Sequence, residues 1–378
     1  MTMNSRERVI AAINHREPDR VPVDMNGTIV TSLTRIAYQN LREFLSMPPD
    51  GQPEVSHFAM DTVRARDDLL DRYRVDTRSI GMGVPFGFKE ERMPDGTLYD
   101  EYRIRWRKAS YYWDVIEHPL ADKGIGDLPH VPWPNEQDDG RYRGMRDRAK
   151  CLFESTDTCL VVDIPGLGPF EGGCFLRGHG NFCADFYENP AYAEAVMDKV
   201  TDTMILFWDR ILREVGEYVQ VVAQGDDVGM QESTYISPDM YRKFVKPRKK
   251  RLFDFIHSRT RAKIFYHSCG SVYDLVPDFI EEGVDILNPI QRSAAKMDIR
   301  RLKREFGKDL AFWGGGIDVQ SQLPFSSLEE IDDIVRETID TMAPGGGFVF
   351  FPSHNIQADV TPDRIDRVFQ AAMKHGAY

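Results

Sequence analysis

Cysteine is scarce in this chain, with five in 378 residues, at positions 151, 159, 174, 183 and 269. The number is odd and the spacings form no framework, which excludes a disulfide-stapled scaffold and fits reduced thiols. Long apolar runs are missing too. No stretch approaches the roughly 20 residues that a membrane span requires. The opening, MTMNSRERVI, is charged and lacks the apolar core of a secretory leader. These absences predict a cytoplasmic protein with no membrane partner. Positive charge is also short, with 48 Lys and Arg against 60 Asp and Glu for a net charge of -12. A field of that sign argues against nucleic acid as a partner. The one basic tract, KPRKKR at 246–251, lies in an amphipathic stretch and reads as a solvated helix face. There is no internal repeat and no low-complexity segment.

What is present is core material. A chain of this length that is 42% hydrophobic fits one large α/β barrel or two ordinary domains. From about residue 158, apolar runs of strand length alternate with helical patterns. TCLVVDIPG (158–166), YVQVVAQGDD (218–227), AKIFYHSC (262–269), VDILNPI (284–290), LAFWGGGI (310–317) and GFVFFPSHNI (347–356) read as strands. Helices are predicted over 189–216, 237–258, 272–283, 297–307, 326–342 and 361–376. Ser237 and Thr361 stand as caps, each followed by proline. The strands are continuous apolar runs, as expected of a parallel sheet covered on both faces. RVPVDMN (20–26) and VDTRSIGMG (75–83) add two more candidates and bring the count to eight. The expected fold class is therefore α/β, a (β/α)8 barrel with an N-terminal helical extension. An open doubly wound sheet is the alternative, but no GxGxxG follows a first strand. Residues 1–378 are read as a single barrel domain with 84–150 inserted over its mouth. PDGTLYDEYRIRWR (94–107) reads as a hairpin turning at Asp95-Gly96, and 127–143 as loop.

In a parallel barrel the chemistry gathers where strands end. Those ends carry Asp24, Asn26, Asp163, Gln224, Asp226, Asp227, His267, Cys269, Asn288, Asp318, Gln320, Ser353, His354 and Asn355. His267, Cys269 and His354 together have the donor chemistry of a three-point zinc site with an open fourth position. Taken singly, Cys269 reads equally as a buried inert thiol, and His354 as a hydrogen-bonded structural histidine. Asp226 and Asp227 read as a base or a substrate contact, or as a loop cap beside a solvated carboxylate. GGG at 314–316 allows close backbone approach to a ligand or merely turns the chain.

Five segments carry a family resemblance: SRERVIAAINHREPDRVPVDMNG, GDDVGMQESTYISPDMYRKFVKPRKKRL, FYHSCGSVYDLVPDFIEEGVDILNPIQ, FWGGGIDVQSQLP and FPSHNIQADVTPDRI. In sequence and in order they resemble the uroporphyrinogen decarboxylase superfamily, nearly end to end. The resemblance implies the same (β/α)8 barrel. Authentic decarboxylases of that superfamily carry an arginine-bearing RQAGRYLPE-like segment and an FSDI-like segment. The corresponding places here read EPDRVPVDMNG and RSIGMG. The corrinoid-dependent branch, similar to methylcobamide:coenzyme M methyltransferases, carries a zinc-binding H-x-C, which FYHSCGS matches at His267 and Cys269. Where that branch has a distant cysteine, this chain has His354 in SHNIQADVTP. Decarboxylases carry a histidine in a similar GHGI-like setting, so His354 fits either branch.

The resemblance thus implies a zinc-dependent methyltransferase. It would move a methyl group between the cobalt of a corrinoid (cobalamin) protein and a small-molecule donor or acceptor. Zinc would sit on His267, Cys269 and His354. Asp226, Asp227 and His354 would take catalytic roles, and Asn26, Gln231, Asn288 and Asp318 would contact substrate. A homodimer is implied by the superfamily alone. The alternatives are a cofactor-independent decarboxylase of uroporphyrinogen III or another carboxylated substrate, and a non-catalytic barrel that binds a small ligand.

Overall fold

The computed structural model describes residues 2–377. Seven parallel strands lie side by side in chain order: Thr77–Ile80, Cys159–Val162, Val221–Gly225, Lys263–His267, Ile286–Asn288, Ala311–Trp313 and Phe348–Val349. The expected strand at 20–26 is reduced to a bridge, and it closes the barrel. Val23 pairs in parallel with Phe350. Asp24 N–H donates to the Phe350 carbonyl at 2.9 Å, and Phe350 N–H to the Pro22 carbonyl at 2.8 Å. On the other side Asp76 N–H donates to the Val23 carbonyl at 2.8 Å. The two proline rings at 18 and 22 limit ladder bonding around this segment, which keeps it short.

The barrel is filled rather than open. Cys159, Val161, Val221, Ala223, Phe265, Ile286, Ala311, Trp313 and Val349 point inward as one apolar cluster. Helix Ser5–Ile13 plugs one end with Val9, Ala12 and Ile13. The alternate residues, such as Leu160, Val222, Tyr266, Leu287 and Phe312, face the outer helices in the larger core. Strands covered on both faces read as unbroken apolar runs for this reason.

The outer helices keep the predicted rhythm, from Pro190–Val215 to Pro362–His375. Their starts follow local chemistry. Ser327 accepts from Glu330 N–H while Glu330 reaches back to Ser327 N–H, a reciprocal cap for Leu328–Met342. The helix expected over 237–258 departs from regularity. A wider π-type turn at Tyr241–Val245 precedes Lys246–Arg259. Pro247 has no N–H to give the Lys243 carbonyl, and the wider turn accommodates that loss. Most of KPRKKR is solvated and ion-paired on this helix, but Lys249 is fully buried. Its ammonium lies 3.2 Å from Glu282 and over the Tyr266 ring.

Between the barrel strands Thr77–Ile80 and Cys159–Val162 the expected hairpin is larger than its sequence signal. Glu91–Arg92, Leu98–Tyr99, Arg105–Ala109 and Tyr112–Glu117 form a four-stranded antiparallel meander. Asp95-Gly96 sits at its first turn, with Gly96 at φ 82°. The region read as loop at 127–143 contains two short 3-10 turns, Ile125–His130 and Asp139–Arg141. Helix Met145–Ser155 then packs on the neighbouring strands. Helices Pro169–Arg177 and His179–Glu188 were not foreseen, because glycine and aromatic residues blur their period.

Asp76 holds the closing segment. Its buried carboxylate takes Arg8 at 2.7 Å, Arg20 at 2.8 Å and the Val23 amide at 2.9 Å. Asp76→Ala leaves the Val23 amide without its acceptor and removes the buried carboxylate from two guanidinium groups, which keep only their outer partners. Removing one partner of a buried pair costs about 3–5 kcal/mol. We expect a loss of that order from urea unfolding, against less than about 1 kcal/mol for Asp254→Ala at the exposed Lys250 pair.

Candidate functional site

Side chains alternate along each strand, so the barrel interior continues upward into the mouth. Phe265 points in, and two residues later so does His267. Ile286 points in, and two residues later so does Asn288. The two are register partners on adjacent strands, and their side chains meet. His267 Nδ1 lies 2.6 Å from Asn288 Oδ1, while Asn288 Nδ2 donates to the Trp313 carbonyl at 2.7 Å. The amide is therefore oriented oxygen-first toward the ring, and Nδ1 must donate. That leaves the Nε2 lone pair free, 3.7 Å from Asp227.

Two glycines bring Asp227 and Cys269 together. A Cβ on Gly229 would stand 2.5 Å from the Cys269 carbonyl, and one on Gly270 would stand 2.6 Å from the Gly229 backbone. Gly270 also has φ 87°, which favours glycine. Across this contact Asp227 accepts from Cys269 N–H at 2.8 Å and from Cys269 Sγ at 3.2 Å. Burial and the adjacent carboxylate push the Cys269 thiol well above its ordinary pKa. The ligand atoms of Asp227, His267 and Cys269 all lie within 4.8 Å of one another. Nitrogen, thiol sulfur and carboxylate oxygen are the donor types zinc accepts, and an outer-shell amide already orients the histidine. The residues present fit a zinc ion.

His354 stands against this group, its ring centroid 5.3 Å from that of His267 at 68°. It is beside the three clustered donors rather than among them. Burial and the neighbouring His267 lower its pKa to about 4, so the ring is neutral near pH 7 and carries a free lone pair. Asp226 has a different task. Its Oδ1 accepts from Phe170 N–H at 3.0 Å and Glu171 N–H at 2.7 Å, at the start of helix Pro169–Arg177. The approach requires Gly168, where a Cβ would fall 2.2 Å from the Asp226 Cβ. Its other oxygen is buried without a hydrogen-bond partner, and desolvation raises the carboxyl pKa to about 7.

Asp227, His267 and His354 form part of the wall of a cavity of about 1230 Å³. The meander supplies the opposite wall with Tyr102, Trp106, Arg107 and Trp113. The other expected substrate contacts do not line it. Asn26, at φ 66°, spends its side chain on Ser32, Val63 and Ala65. Gln231 bonds Ser293 and Gln291. Asp318 is consumed by Ser293, Gln320 and Ser321. Asn288 acts through His267. Glu171 is a wall residue that sequence reasoning missed. It sits in a glycine-rich stretch without a motif, and desolvation beside Asp227 and Asp226 raises its pKa well above the ordinary value.

A (β/α)8 barrel whose mouth carries clustered nitrogen, sulfur and carboxylate donors defines an enzyme scaffold with a metal-ready centre. Residues 166–375 match the uroporphyrinogen decarboxylase (URO-D) family, and the chain belongs to that family. The methylated-thiol--coenzyme M methyltransferase of Methanosarcina mazei is 24% identical over 230 residues, 60% of this chain and 58% of that protein. The match therefore spans less than two thirds of that relative's length. The uroporphyrinogen decarboxylase of Bacillus thuringiensis is also 24% identical, over 270 residues, covering 67% of this chain and 68% of that one. A solved methyltransferase from Methanosarcina mazei shares the fold, with a TM-score of 0.65 at 17% identity over 98% of this chain and 99% of its own.

His57, in the same cavity wall, gives a pH test. Burial lowers its pKa to about 4 from an ordinary 6.5. The folded state therefore binds this proton less readily than the unfolded one. The resulting stability is complete above pH 6.5 and is lost as pH falls from 6.5 toward 4. We expect His57→Phe to lose less stability than wild type between pH 7 and pH 5, measured by urea unfolding at both values.

Proposed function

We propose that this protein is a zinc-dependent methyltransferase of a corrinoid methyl-transfer system. The substrates are a corrinoid protein and a small-molecule methyl donor or acceptor. The observation that carries this reading is the Asp227, His267 and Cys269 cluster at the edge of the cavity, with Asn288 holding His267 in the ligating tautomer. Zinc bound there would act as a Lewis acid, activating a thiol acceptor or polarising a leaving group.

The chain's own groups prepare that chemistry. On ligation Cys269 would release its proton to solvent, and Asp227, which already accepts from the thiol and lines the cavity, would relay it and remain a carboxylate. Asp227 would offer its carboxylate oxygen as the third ligand, a place for which the sequence alone points to His354. His354 faces the group as a neutral base, ready to fill the fourth position or to orient an incoming substrate. The aromatic side chains of the meander, Trp106 and Trp113, cover part of the mouth.

The cavity also counts against the decarboxylase alternative. Arg107 is the one arginine or lysine among its described wall residues. Guanidinium forks are the groups suited to holding several carboxylates, and the cavity lacks the set a porphyrinogen would need.

Elemental mass spectrometry of the purified protein tests the reading. We expect about one zinc per chain, lost in Cys269→Ser and in Asp227→Ala. Asn288→Ala should weaken zinc by about 10–100-fold, the usual effect of removing an outer-shell partner. A wild-type protein that takes up no zinc on reconstitution would refute the mechanism.

A further inference from the structure

The cavity has a consistent sign and texture. Four of its acids, Asp100, Asp114, Glu171 and Asp227, make no ion pair with a lysine or arginine among the described residues. Arg107 is the only such cation among the described wall residues. A zinc ion on Asp227 and the Cys269 thiolate would be neutralised by its own ligands. Desolvation favours the neutral form of Glu171, so the negative sign rests on Asp100 and Asp114, which outnumber Arg107 with or without the ion. An anionic ligand is therefore disfavoured and a cationic one attracted.

The opposite wall is aromatic. Phe58 meets Trp106 edge to face at 5.4 Å and 84°, and Trp113 at 6.3 Å and 69°. Trp106 continues to Phe175 at 5.9 Å. The Trp106 indole N–H donates to Asp100 at 2.9 Å, which fixes the ring beside a carboxylate. The Tyr102 hydroxyl, in the same wall, is buried without a hydrogen-bond partner. Perpendicular aromatic faces beside unpaired carboxylates are the setting in which quaternary cations are recognised.

Resting on the methyl-transfer reading, we propose that the small molecule this cavity takes is a methylated onium cation, a quaternary ammonium or a tertiary sulfonium. The chemistry balances simply. The bond from methyl carbon to nitrogen or sulfur breaks with its electron pair retained by the heteroatom. A neutral amine or thioether leaves, and the methyl group passes to a two-electron nucleophile, a reduced corrinoid. The leaving group needs no proton.

Calorimetric titration of the whole protein tests this without the corrinoid partner. The probes are choline, its sulfonium analogue, the uncharged isostere 3,3-dimethylbutan-1-ol, and anisole as a neutral methyl ether. We expect choline or the sulfonium to bind at least about tenfold more tightly than the isostere. The stronger of the two identifies the heteroatom. Trp113→Ala, at a half-buried position, should reduce the preference to within about threefold, and Trp113→Phe should retain most of it. Equal binding of choline and its isostere, no onium binding, or tighter binding of anisole than of either cation overturns the proposal. Because no metal enters this readout, a zinc-loaded protein without onium preference would refute the substrate class alone. Onium preference in a protein that takes no zinc would refute the metal mechanism alone.

Discussion

The barrel closes on one carboxylate. Seven strands form a continuous parallel ladder, but the eighth position is held by residues 22–24 with few backbone bonds. Asp76 compensates by accepting from the Val23 amide and from two arginines, one on the plugging helix and one just before the closing segment. A buried carboxylate with charged donors on several sides is stable only when all of them are present. The same residue therefore ties the floor of the barrel to its seam. The mouth depends on that closure, because strand ends converge only if the sheet is circular.

Given a closed barrel, the site follows from two small geometric facts. The strand period of two carries the inward direction of Phe265 and Ile286 up to His267 and Asn288. The backbone contact between Gly229 and Gly270 lets two βα loops approach closely enough for Asp227 to accept from Cys269. Neither glycine carries chemistry. Each removes a Cβ that would hold the donors apart.

The cavity above these donors is built by another part of the chain. The meander between strands Thr77–Ile80 and Cys159–Val162 supplies rings and few cations, so the pocket is large, apolar and negative. Relatives with different named activities match this chain at the same identity, 24%. The barrel is common ground between them, and the wall chemistry is what separates candidate substrates.

Much of the frame was legible beforehand. Apolar runs covered on both faces announce buried parallel strands, so the strands at 159–162, 221–225 and 263–267 follow from local composition. His267 and Cys269 were legible as a pair because their spacing is local. Local sequence also announced the Ser237 cap and the turn at Asp95-Gly96, whereas Thr361 takes the N-cap position without a capping side-chain hydrogen bond. Tertiary structure decided the rest. Asp227 became the near neighbour of Cys269, His354 stood to one side, and Asp226 turned to a helix start. Asn26, Gln231 and Asp318 spent their side chains on the protein. Lys249, in a tract that reads as solvated, was drawn into the core beside Glu282. A sequence states which donors stand near strand ends. Which of them face one another depends on loop approach and on competing hydrogen bonds, and those exist only once distant segments are packed together.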